Sequence, residues 1–177
     1  LLQYAPNALH DNEEIVNLAL SESTSALKYA SKRLRDDEKL IIKYPGTVKY
    51  ASKRIQKDKD VIKQIVSKDS WALEHLSKIW KDDKDVVLAA VTNFNDAAQW
   101  ASRRLKNDID IAKASCETGV FPSSLYWFSN RLKNDKSLVI YAVSRGPSGL
   151  EYASNKLKND KEVILAAIHA NPFSILY

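Results

Sequence analysis

The sequence is short of most of the residues on which protein chemistry is usually built. Its 177 residues include no methionine, one cysteine, three histidines, four glycines and five prolines. A single cysteine, Cys116, excludes an internal disulfide framework and fits a reducing intracellular compartment. So little glycine and proline, with no low-complexity segment, speaks against disorder. No apolar run approaches the roughly 20 residues of a membrane-spanning helix, and no glycine-rich phosphate loop is present.

What is there in quantity is apolar and charged. Hydrophobic residues make up 45% and charged residues 28%, with a net charge of +5. That composition describes a soluble, mildly basic chain with enough apolar side chains for a sizeable core.

The order of those residues repeats. Leu27-Lys28-Tyr29-Ala30-Ser31-Lys32-Arg33-Leu34 aligns with Leu150-Glu151-Tyr152-Ala153-Ser154-Asn155-Lys156-Leu157, and related copies lie between. The anchoring residue runs Tyr4, Tyr29, Tyr50, His75, Trp100, Trp127, Tyr152 and Tyr177, at spacings of 25, 21, 25, 25, 27, 25 and 25. A fixed period of this length is the signature of a stacked array. The expected fold is therefore all-α, a solenoid of short two-helix repeats with a period of about 25 residues, forming a single array over 1–177.

In each unit, helix A is expected to start at a capping or first-turn residue, namely Thr24, Pro45, Ser70, Asn95, Pro122, Pro147 or Pro172. It carries apolar or small residues at −2, 0, +1 and +5 from the anchor, a helical stripe. The alanine after the anchor (Ala5, Ala30, Ala51, Ala101, Ala153) would allow close helix approach. A tight turn such as Lys158-Asn159-Asp160 follows, in which Asn tolerates a left-handed helix end and Asp caps the next helix. Helix B, as in Val86-Val87-Leu88-Ala89-Ala90-Val91, is apolar around most of its circumference and should be the more buried. Cys116 falls on a core position of helix B, aligned with Val91 and Ile168, and reads as a buried thiol.

Two units depart in length. Tyr44-Pro45-Gly46 cuts the second helix B short, which should bend the array. Glu117-Thr118-Gly119-Val120-Phe121-Pro122 lengthens the fifth unit and should protrude as a loop. Both ends fall inside helix A copies with apolar residues showing (Leu1, Leu2, Phe173, Ile175, Leu176), so a segment of a longer protein is expected.

The pattern resembles the domain of unknown function 4116 family: an aromatic-Ala-Ser, two basic residues, Leu, Lys, Asn or Asp, Asp, and then an apolar run rich in Ala. Tyr152 to Ile168 matches almost throughout, while His75-Leu76 and Ile79-Trp80 depart from it. The resemblance implies tandem helical units, as found in proteins of bacteria, protists and large viruses. It brings no established activity and no catalytic residues.

Nothing in the residues points to an enzyme, a metal or a cofactor. His10, His75 and His169 lie in three different repeats without a partner at ligand spacing. The serines (Ser31, Ser52, Ser77, Ser102, Ser129, Ser154) recur in every unit, as structural residues do, and Cys116 has no nearby histidine. The carboxylates of Asp36-Asp37-Glu38 and Asp82-Asp83 sit where helix B starts and suit its dipole.

The basic residues invite a binding reading. Arg33, Arg54, Arg104, Arg131 and Lys156 stand four residues after their anchors, where on a continuous helix each cation would lie against its own aromatic ring. Charge is also uneven: residues 1–27 sum to −4, residues 28–57 to +7 and residues 58–177 to +2. Lys28, Lys32 and Arg35 would share one helix A face and Lys49 and Lys53 the next, with Lys78, Lys81, Arg103 and Lys106 extending the line. These nine form the expected partner-binding surface. The expected function is a non-catalytic scaffold that binds another protein. Nucleic-acid binding, through the phosphate backbone at the basic stripe in residues 28–57, is the first alternative, and a structural segment of a larger protein with its activity elsewhere the second.

Overall fold

The structure, a computed structural model, describes residues 2–117, 125–146 and 149–170. Every element among them is helical. The chain divides into two compact units, Leu1–Ser77 and Lys78–Tyr177.

Four described repeats open with a 3-10 helix that ends at the anchor: Thr24–Tyr29, Pro45–Tyr50, Ser70–His75 and Asn95–Trp100. All four begin at the residues expected to start helix A. The expected starts at Pro122, Pro147 and Pro172 lie outside the described residues, as does the loop through Phe121.

Helix A is not one helix. The chain breaks at the residue after the anchor, where Ala30, Ala51 and Ala101 take extended backbone (φ −68, ψ 160 at Ala30). The following serine is the cause. Within a helix its hydroxyl competes with the backbone, but at an N-cap it accepts from a free amide. Ser31 Oγ accepts from Leu34 N at 3.2 Å, and Ser52, Ser102, Ser129 and Ser154 do the same three residues on. One short helical turn follows, α-helical in α2 (Lys32–Arg35), α8 (Asn130–Lys133) and α10 (Asn155–Lys158), and 3-10 in Ile55–Lys57 and Leu105–Asn107. The alanine therefore marks the break between two turns.

Helix B is the long element, and the residue before it caps it. Asn12 caps α1 (Glu13–Glu22), Asp37 caps α3 (Glu38–Lys43) and Asp58 caps α4 (Lys59–Lys68). Asp83 caps α6 (Lys84–Val91), and Asp135 caps α9 (Lys136–Arg145). Asp108 and Asp160 accept from the first-turn amides of α7 (Ile109–Glu117) and α11 (Lys161–Ala170). The Asn residues before two of these caps are not left-handed: φ is −107 at Asn134 and −104 at Asn159. Pro45 shortens α3 to 6 residues against 10 in α4, as its position dictates.

In the first unit the 3-10 helices pack side by side, Thr24–Tyr29 on Pro45–Tyr50 and that on Ser70–His75, while α3 packs on α4. In the second unit α6 packs on α7, α7 on α9 and α9 on α11. Helix B supplies much of each core, with Val61, Ile62, Ile65 and Val66 of α4 and Val86, Val87, Ala90 and Val91 of α6 all buried. Burying one such side chain stabilises by roughly 1.5–3 kcal/mol. Cys116 is buried on α7. Gly149 lies so close to α9 that a Cβ would come within 2.7 Å of Ala142 C and Val143 N, a fit open to glycine alone.

Candidate functional site

The most regular polar geometry in the molecule joins one repeat to the next. In five repeats the residue two after the anchor donates its backbone N–H to the preceding repeat: Ser31 to His10 O (2.8 Å), Ser52 to Arg35 O (2.7 Å), Ser102 to Lys81 O (2.7 Å), Ser129 to Lys106 O (2.9 Å) and Ser154 to Lys133 O (2.8 Å). The same serine hydroxyl donates to the next side chain along, Asp11, Asp36, Asp82, Asn107 or Asn134 in turn.

The arginine two residues later completes the latch. Arg33 Nε donates to Asp11 Oδ1 at 3.0 Å, its Nη2 to Asp11 O at 3.0 Å and its Nη1 to Glu13 at 2.7 Å. Arg54 repeats this on Asp36 and Glu38. Arg104 holds Asp82, and Arg131 holds the Asn107 amide oxygen at 2.8 Å and its carbonyl at 2.6 Å. A planar fork suits this paired recognition of side chain and backbone. At the last described latch the arginine position is Lys156, and the serine bond to Asn134 remains at 2.7 Å.

These contacts correct the expectation that the arginines stack on their own anchors. That geometry needs a continuous helix, and the Ala-Ser break turns each arginine back onto the previous repeat. Lysines lie over the rings of Tyr29 and Tyr50 instead: Lys28 Nζ is 5.7 Å from the Tyr29 centroid and Lys49 Nζ 5.2 Å from that of Tyr50. The electrostatics follow the latch. The Ser31 hydroxyl, then Arg33, hold Asp11 below its ordinary pKa; Ser52 with Arg54, and Ser102 with Arg104, do the same to Asp36 and Asp82.

The nine residues of the expected binding surface have different fates. Lys28 and Lys49 are exposed on 3-10 helices, whereas Lys32 and Lys53 are exposed beyond the break, so the pairs do not share one helix face. Lys53 donates to Gln56 at 3.3 Å. Arg35 is half-buried, and its carbonyl receives Ser52. In the second unit Lys78 of α5 (Lys78–Lys81) and Arg103 are exposed, while Lys81 is half-buried and its carbonyl receives Ser102. Lys106 is a structural cation. Its ammonium donates to Gln99 O at 2.6 Å and lies 5.9 Å from the Trp127 ring centroid, and burial pushes its pKa down. Gln56 and Lys133 likewise fold back onto carbonyls of the turn before them.

The first unit also carries a groove of about 740 Å³. It is lined by the apolar Leu2, Ala5, Ile15, Leu18, Ala19 and Ala26 and by Gln3, Glu22, Ser23, Ser25, Lys28, Tyr29 and Tyr50. Leu18 is 69% exposed there. The sequence did not announce this groove, because Leu18 reads as one more apolar residue of a helix B. Among the described residues no three His, Cys, Asp or Glu side chains come together as metal ligands, and no helix is long and apolar enough to cross a membrane.

Fold and latch together define a protein whose described residues form only helices, in recurring units whose repeated polar residues serve the joints between neighbouring repeats. The chain belongs to the family described as domain of unknown function (DUF4116), whose model matches residues 1–35, 38–81, 119–157 and 135–177. No curated protein and no solved structure matches it.

Proposed function

We propose that this chain is a non-catalytic helical-repeat scaffold, its units stacked as an α-solenoid, that binds another protein through the groove beside α1. The observation that carries the reading is the apolar α1 side of that groove, where Leu18 is exposed and Ile15 and Ala19 are half-buried, while Val16 and Leu20 of the same helix are buried. Exposed apolar surface rimmed by polar groups marks an interaction site. The recurring serines, arginines and carboxylates are occupied in joining repeats, which leaves such surfaces as the part of the molecule free to recognise something else.

A photo-crosslinking residue at position 18 tests it in the native cell, with the same residue at the exposed position Ser67 of α4 as reference. A discrete protein adduct from position 18 and none from position 67 is expected. Equal or absent labelling at both would overturn the reading. Phosphate binding is the second reading, motivated by Lys28, Lys32 and Lys49, which form no ion pair with a described residue. Its signature is an affinity that falls steeply between about 50 and 200 mM salt.

A further inference from the structure

We infer that the groove beside α1 takes an extended or helical protein segment that presents apolar side chains followed by carboxylates, with the apolar part on Ile15 and Leu18 and the acids at Lys28 and Lys49. This rests on the reading of the groove as a protein-binding site and adds the chemistry of its partner.

Charge is distributed along the groove in a way that fixes polarity. Of the basic residues in 28–57, Arg33 and Arg54 are consumed by Asp11, Glu13, Asp36 and Glu38. Lys28 and Lys49, equivalent residues of adjacent repeats, form no such pair, and each stands over the tyrosine beside it. Lys28 and both tyrosines line the groove, and Lys49, which does not line it, stands beside it over the Tyr50 ring. The α1 side is apolar apart from Glu22. A segment that is acidic at one end and apolar at the other satisfies both sides, and Glu22 disfavours the reverse orientation.

The same geometry weighs against a nucleic acid. Single strands bind by stacking bases on aromatic faces, yet here an ammonium sits about 5–6 Å over a face of each ring, a cation–π distance. A carboxylate meets the ammonium without needing the ring. The isoleucine, leucine and alanine side chains on the α1 side, with Glu22 beside them, also offer a phosphate backbone nothing.

The experiment is a selection of random peptides of about a dozen residues displayed on phage against the full chain, with Leu18→Asp as counter-target. Leu18 is 69% exposed, so the substitution leaves the core intact, which an unchanged far-UV circular dichroism spectrum and melting temperature verify. Enriched peptides should combine apolar residues with Asp or Glu, lose binding to Leu18→Asp, and bind Lys28→Glu/Lys49→Glu roughly tenfold more weakly. Selection on that double variant should turn enrichment toward Lys and Arg. Peptides that need Leu18 yet ignore the lysine reversal overturn the acidic-partner inference and leave the groove as a binding site. Enrichment indifferent to Leu18, or none, overturns both. Tighter binding of a labelled oligothymidylate than of any peptide, lost in the lysine variant, overturns them in favour of phosphate.

Discussion

The two units secure their repeats with the same backbone geometry and differently placed charges. In Leu1–Ser77 each latch arginine grips two carboxylates, Arg33 on Asp11 and Glu13, Arg54 on Asp36 and Glu38. In Lys78–Tyr177 the latch thins to one carboxylate at Arg104, an amide at Arg131 and a lysine at 156. There the ion pairs move to the starts of helix B, where Lys84 meets Asp108 and Asp110, and Lys136 meets Asp160 and Glu162. The constant element is the serine, whose amide and hydroxyl act in every described latch. Charge is the interchangeable part, as expected for pairs about half exposed, which are screened and individually weak.

The variation among repeats follows a rule. Where the acceptor position is Asp or Asn, the donor position holds Arg or Lys. At the third repeat the acceptor position is Lys57 and the next donor position is Ile79, which is 75% exposed. The chain divides into its two compact units between Ser77 and Lys78, two residues before that isoleucine.

The largest expected effect comes from the constant element. Ser31→Ala and Ser129→Ala each remove an N-cap, worth about 1 kcal/mol, together with a hydrogen bond to the preceding repeat. Urea unfolding should show both destabilised, with Ser31→Ala the worse, because its lost acceptor is a carboxylate and not an amide. Equal losses would mean that the charge of Asp11 contributes nothing through the serine, and the contrast between units would then be one of composition alone.

Much of this was legible in the residues. The anchors, the helix starts at Thr24, Pro45, Ser70 and Asn95, the Asp caps and the short α3 all follow from local rules that act within a few residues. The latch did not. Arg33 and Asp11 are 22 residues apart, and a helix extrapolated through Tyr29 placed the arginine on the wrong partner. The signal was present as a joint change across repeats, Lys57 with Ile79. Lys106 was read as a surface cation for a related reason, since a long side chain that folds back onto the carbonyl of Gln99 cannot be told from a solvated one by position alone.

Acid should separate the two kinds of latch. Asp11, Asp36 and Asp82 are held below the ordinary carboxylate value of 3.8, so their contribution is present above that value and is lost as pH falls through the lowered ones. Amide hydrogen exchange at Ser31, Ser52 and Ser102 should therefore accelerate, beyond the intrinsic change, on going below the ordinary value. Ser129 and Ser154, whose acceptors are amides, should hold their protection over the same range. The second unit has its own acid-sensitive sites at the starts of α7 and α11. Lys136, with the backbone amides, holds Asp160 down; at Asp108 burial opposes, but Lys84 and the amides of Asp110 and Ile111 prevail. Uniform loss at all five serines would erase the distinction between carboxylate and amide latches.

The smallest effect is a conversion of one kind of latch into the other. Asn107→Asp places a carboxylate where Arg131 Nε and the Ser129 hydroxyl already converge, so no donor needs to move. The gain should be modest, a rise in Tm of at most a few degrees, because exposed ion pairs are weak and the arginine already has its carbonyl bond to residue 107. It should shrink in molar salt, as screening shortens the reach of the new charge. The variant should also make the Ser129 amide acid-sensitive, which the native residue does not. A gain that persists in high salt would have to arise from hydrogen-bond geometry, since only the Coulombic part is screened. A loss of stability would mean that Lys84, close by at Asp108, cannot offset a third carboxylate beside Asp108 and Asp110.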